Sequence, residues 1–116
     1  MRKLDNINIG IYEKALPKNI SWEERIKLVK ECGYDFMEIS IDETDERLAR
    51  LEYSKEEIKQ IRDYLLDADV RIPSMCFSGH RRFPMGSMSQ ETRDKAMELM
   101  EKAIVFADRL GITTIQ

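Results

Sequence analysis

Apolar residues along this chain recur in two rhythms that take turns. Ile7, Ile9 and Ile11 occupy every second position of 7–12, and the same period returns in 36–41, 71–77 and 113–116. That alternation predicts strands. Between them the spacing stretches to three or four residues: Trp22, Ile26, Val29 and Cys32, then Ile58, Ile61 and Leu65, then Ala96, Met100, Ala103, Ala107 and Leu110. Each set predicts an amphipathic helix with one buried stripe. Ser21-Trp22-Glu23-Glu24 and Ser54-Lys55-Glu56-Glu57 are capping boxes that open the first two helices, and the third begins near Ser89. Gly33 and Gly111 supply left-handed stops. Segment 42–52 reads as a charged loop with a helical turn around Leu48, and 78–87 as a long loop. Pro73 cannot donate to a ladder, so it belongs near the start of its strand or at an irregularity.

The order β-α-β-α-β-α-β favours a parallel sheet with right-handed crossovers. The strand faces narrow the architecture. Met37, Ile39 and Ile41 oppose Glu38, Ser40 and Asp42; Met75 and Phe77 oppose Ser74, Cys76 and Ser78; Ile115 opposes Thr114 and Gln116; and Ile7, Ile9 and Ile11 oppose Asn8, Gly10 and Tyr12. A doubly wound sheet is apolar on both faces, whereas these strands have one oily face and one polar or small face. A barrel with a polar-lined interior and helices outside fits that pattern. A (β/α)8 barrel takes about 250 residues, and the chain has 116. The expected fold is therefore α/β, the N-terminal half of a TIM barrel. It has four parallel strands and three main helices in a single partial domain over 1–116, ending at the fourth strand. Such a half leaves strand edges unpaired, so self-association through them is expected.

Composition removes several function classes. Nineteen Lys and Arg against 22 Asp and Glu give a net charge of −3, whereas a nucleic-acid binder needs a basic surface. No apolar run approaches the roughly 20 residues that span a bilayer. The start, Met1-Arg2-Lys3-Leu4-Asp5, does not read as a signal peptide. A cytoplasmic setting is expected, with Cys32 and Cys76 as free thiols that act as small buried hydrophobes.

In a barrel, chemistry collects at the C-terminal ends of the strands. Those positions hold Tyr12, Glu13 and Lys14, then Ser40, Asp42 and Glu43, then Ser78, Gly79, His80, Arg81 and Arg82. Arg81 and Arg82 could grip a phosphate or carboxylate by forked hydrogen bonds, and His80, the sole histidine, could meet a sugar hydroxyl. The competing reading pairs both arginines with the acidic segment 42–46. Glu38, aimed inward, is a ligand contact or part of a structural ion pair. The acidic residues of that segment lack the glycine and regular donors of a calcium loop.

Three segments, Gly10-Ile11-Tyr12-Glu13-Lys14-Ala15-Leu16-Pro17, Phe36–Leu48 and Arg71–Pro84, resemble the L-ribulose-5-phosphate (L-xylulose-5-phosphate) 3-epimerases, some of which carry a hexulose-6-phosphate isomerase label. The resemblance runs along the whole chain but covers only the leading part of a family member. It implies a xylose-isomerase-like TIM barrel acting on a pentulose phosphate in the breakdown of L-ascorbate or related sugars. It also implies a divalent metal (Zn, Mn or Mg) in the full-length enzyme, which stabilises the enediolate formed when two glutamates move the C3 proton. The metal ligands and catalytic groups are expected beyond Gln116, with none on this piece. Glu13, Ser40, His80, Arg81 and Arg82 become candidates for substrate contact, and the 116-residue piece alone is expected to be inactive. The alternative is a non-catalytic α/β module that binds a phosphosugar or a partner. DNA-repair endonucleases share the broad superfamily, but the acidic charge argues against nucleic acid, and no membrane is expected.

Overall fold

The computed structural model describes residues 6–116. Strands β1 (Gly10–Tyr12), β2 (Phe36–Ile41), β3 (Arg71–Phe77) and β4 (Thr114–Ile115) form one sheet in that spatial order, each neighbouring pair parallel. The helices are α1 (Trp22–Glu31), α2 (Asp45–Leu48), α3 (Lys55–Ala68) and α4 (Gln90–Leu110). The turn expected around Leu48 is α2, capped by Thr44 and continued by a 3-10 turn over Ala49–Glu52. Both capping boxes form: Ser21 Oγ accepts from Glu24 N, and Ser54 Oγ from Glu57 N.

Met37, Ile39 and Ile41 of β2 and Ile72, Met75 and Phe77 of β3 are buried in one cluster with Ile26 and Val29 of α1, Ile58, Ile61 and Leu65 of α3, and Leu99, Ala103 and Phe106 of α4. Burying each large aliphatic side chain contributes roughly 1.5–3 kcal/mol. This helix-facing side therefore holds the sheet together and frees the other side to carry polar groups.

Two local expectations are corrected. The first strand is shorter than 7–12, because β2 begins only at Phe36 and leaves the earlier residues without a ladder partner. Ile9 instead exchanges hydrogen bonds with Asp35, N to Oδ2 at 2.9 Å and O from N at 2.7 Å, and Ile7 stands exposed. Cys32 is exposed rather than buried, since α1 ends at Glu31 and Gly33 turns the chain away at φ 85°. The irregularity offered as one place for Pro73 is present, and it sets Ile72 and Ser74 on different faces. Phe36 pairs with Arg71 but Glu38 with Ser74, so β3 carries one extra residue around Pro73. The bulge turns Ile72 into the core and Ser74 to the polar face.

Candidate functional site

Parallel pairing brings the ends of β1, β2 and β3 to one rim, and the loops after Tyr12, Ile41 and Phe77 meet there. β1 leaves the sheet after Tyr12, which pairs with Glu38, so the β1-side edge of Ser40 has no strand beside it. Glu13 fills that place. Its Oε1 accepts from Ser40 N at 3.0 Å, while Arg47 and Arg50 donate to Ser40 O at 3.1 and 3.2 Å. The same carboxylate meets Arg47 at 2.9 Å, Arg50 at 2.6 Å and Arg25 at 3.2 Å. All four side chains are buried, Glu13 to 1% exposure, and Trp22 lies under the Arg25 and Arg50 guanidinium groups at 5.0 and 4.6 Å from its ring centre. Burial by itself raises the Glu13 carboxyl, but hydrogen bonds and charge from Arg50, with Ser40 N and Arg47, outweigh it and hold the group below its usual value. Burial also pulls Arg25 down.

The polar sheet face carries a second network. Glu38 accepts from Ser74 Oγ at 2.6 Å and from Gln116 Nε2 at 2.9 and 3.0 Å. It is held by neutral donors from β3 and from the residue just after β4, not by the ion pair that was one of its two expected roles. Tyr12, partly exposed at the mouth, has its hydroxyl beside Ser40 and Cys76, and burial raises its pKa.

The third loop folds into a 3-10 turn over Gly79–Arg81. Gly79 sits where a Cβ would come within 3.0 Å of Leu48 and 3.1 Å of Phe77. His80 packs edge-on to Phe77, ring centres 4.9 Å apart, and places Nε2 3.0 Å from the Ala96 carbonyl. That contact requires Nε2 to donate, which leaves Nδ1 of the neutral ring as an acceptor. Arg82 reaches the Asp45 carboxylate and the Glu43 carbonyl, tying the third loop to the second. Lys14 pairs with Asp42 at 2.9 Å and ties the first loop to the second. Arg81 is exposed and has no ion pair among the described residues.

Polar groups thus gather at the C-terminal rim of parallel strands, where (β/α)8 barrels place their sites. The family model described as xylose isomerase-like TIM barrel matches residues 26–116. The chain belongs to that family. It is 54% identical over 108 residues to SgbU of Haemophilus influenzae and 51% identical over 110 residues to the L-ribulose-5-phosphate 3-epimerase UlaE of Shigella boydii. These alignments take in 93% and 95% of this chain but 38% and 39% of the relatives, so the chain spans about two-fifths of their length. A crystal structure of D-psicose 3-epimerase in the presence of D-fructose matches the fold with a TM-score of 0.76 at 20% identity, over 94% of this chain and 36% of that one.

Of the residues singled out in the sequence, the structure joins Glu13 to Ser40 directly and sets His80, Arg81 and Arg82 together on the neighbouring loop. Arg25, Arg47 and Arg50 were missed. Arg25 lies between Trp22 and Val29 on the buried stripe of α1, and a charge on such a stripe was the available signal. Nothing local marks Arg47 and Arg50, whose partner is over 30 residues away. Among the described residues of this xylose isomerase-like barrel segment, no three His, Cys, Asp or Glu side chains cluster closely enough to hold a metal. These residues by themselves supply no donor set for a divalent ion, whose ligands the resemblance places beyond Gln116. No helix among them is long and apolar enough to cross a membrane.

Proposed function

We propose that this chain is the leading part of a sugar-phosphate 3-epimerase that interconverts L-ribulose 5-phosphate and L-xylulose 5-phosphate in the catabolism of L-ascorbate and related sugars. The observation that carries the reading is 51% identity to a named L-ribulose-5-phosphate 3-epimerase over 95% of the chain, the rim loops included. The chemistry asks for a proton to leave the carbon next to a ketone and return on the opposite face. The rim described here serves the substrate rather than that transfer. Arg81, which has no ion pair among the described residues, offers its guanidinium for the phosphate, and His80 Nδ1 offers an acceptor for a sugar hydroxyl, while Ser40 is wholly buried and acts only as part of the frame beneath. Arg82 shares its charge with Asp45, and Glu13 shapes the rim from below.

The test is to incubate the protein that carries this chain with L-ribulose 5-phosphate in D2O and follow the sugar by NMR. The expected result is L-xylulose 5-phosphate with one deuterium at C3. Absence of interconversion, or exchange confined to another carbon, overturns the reading. The 116-residue piece by itself is expected to give no turnover, and sustained conversion by it with added Mn2+ would contradict the assignment of the rim as a substrate-holding part. Arg81→Ala is expected to raise KM about tenfold with kcat nearly unchanged, since a phosphate grip acts equally on ground and transition states.

A further inference from the structure

The geometry points to Glu13 as a positioning residue: its carboxylate replaces the missing β1 backbone beside the buried Ser40 and thereby fixes the end of β1 and the placement of Tyr12 at the mouth of the barrel. The inference deepens the epimerase reading and rests on it for its kinetic test. Three observations support it. Glu13 directly follows Tyr12, so fixing its side chain fixes the end of β1. Its Oε1 binds Ser40 N where strand pairing has stopped, and Arg47 and Arg50 close the same gap by binding Ser40 O. Each of those arginines also binds the Glu13 carboxylate, so one group orders both sides of the Ser40 peptide. A simple salt bridge would need one arginine. Three guanidinium groups and one main-chain amide on a carboxylate 1% exposed make a splint joining the first loop, α1 and the second loop. Glu13 and Ser40, at 1% and 0% exposure, are both too enclosed to meet a ligand, so the effect of Glu13 passes through Tyr12.

Glu13→Asp keeps the charge but is one methylene short of spanning Ser40 and the arginines. Arg47→Lys is a milder variant that keeps the charge and loses the forked donors. Both are made in the protein that carries this chain. For each, kcat per folded molecule with L-ribulose 5-phosphate is expected to fall about tenfold, with KM within about twofold and the limbs of the pH profile unmoved. Hydrogen exchange at the Ser40 amide is expected to quicken at least about tenfold while that of Ile61 in α3 stays as in the parent. A raised KM with kcat intact would make Glu13 a direct ligand contact. A shifted pH profile would make it a proton carrier, and unchanged kcat per folded molecule would make it merely structural; each overturns the inference. If the parent protein shows no epimerisation, the functional reading fails and Ser40 exchange alone decides: unchanged exchange in both variants refutes the splint.

Discussion

One carboxylate facing three guanidinium groups is an unequal arrangement, and its consequences are felt at single residues. Among the described residues Glu13 is the sole acidic side chain paired with Arg25, Arg47 and Arg50, so removing its charge leaves three buried cations with carbonyls and the Trp22 ring as their remaining company there. Glu13→Gln is expected to lower the unfolding free energy by about 3–5 kcal/mol, the cost of breaking a buried pair from one side, as read from urea denaturation. Asp42, also buried but beside an exposed lysine, shows the same logic. Burial opposes its ionisation, but hydrogen bonds from Thr44 and Lys14 prevail and hold it far below the ordinary carboxylate range. Both folded-state pKa values are depressed, so their stabilisation is complete above the unfolded values of 3.8 and 4.5 and drains as pH falls towards the folded ones. Stability measured from about pH 6 down to about pH 3 should therefore decline, and Asp42→Asn should flatten part of the decline. The sequence displayed Glu13 at a strand end but not its partners, because a loop carboxylate looks alike whether it meets water or three distant arginines.

At the scale of elements, the two long helices after the first stop by the same left-handed turn made from different residues. Gly111 closes α4 at φ 82°, a position legible from the glycine itself. Asp69 closes α3 at φ 54°, where no glycine announced the end. A side chain in that conformation crowds the neighbouring carbonyl. Asp69→Gly should therefore raise stability by up to about 1 kcal/mol and Gly111→Ala should lower it by about 1 kcal/mol, measured by thermal unfolding of each variant against the parent. β3 gives the complementary lesson. Pro73 flagged an irregularity, but the register shift that sends Ile72 inward depends on pairing with β2 and lies outside what one strand can encode. Gly10 is similar: a Cβ there would run into the Phe36 ring, a clash that arises only when β1 and β2 come together.

Taken whole, the described residues form a four-stranded parallel sheet clothed by helices on one side, with β1 and β4 each paired on a single edge. An unpaired edge offers a row of backbone donors and acceptors to another chain. The isolated 116-residue chain is accordingly expected to sediment as a concentration-dependent mixture of species between about 1 and 100 μM. A single monomeric boundary across that range would show the edges to be protected. The polar face at the centre of this sheet, with Glu38 bound by Ser74 and Gln116, is the side a closed barrel would enclose.

The amino-acid order alone determined the alternation of strands and helices, the capped helix starts, the parallel sheet with one oily face, and the end of the sheet at which polar groups collect. Those features arise from local periodicity, and their physics acts within a few residues. Only the tertiary structure decided that Glu13 is enclosed by arginines, that His80 spends Nε2 on an α4 carbonyl, that Arg82 is shared with Asp45 while Arg81 is not, and that the bulge at Pro73 turns Ile72 into the core. Each depends on groups far apart in the chain competing for one donor, one acceptor or one volume, a contest whose outcome exists only after the elements have packed.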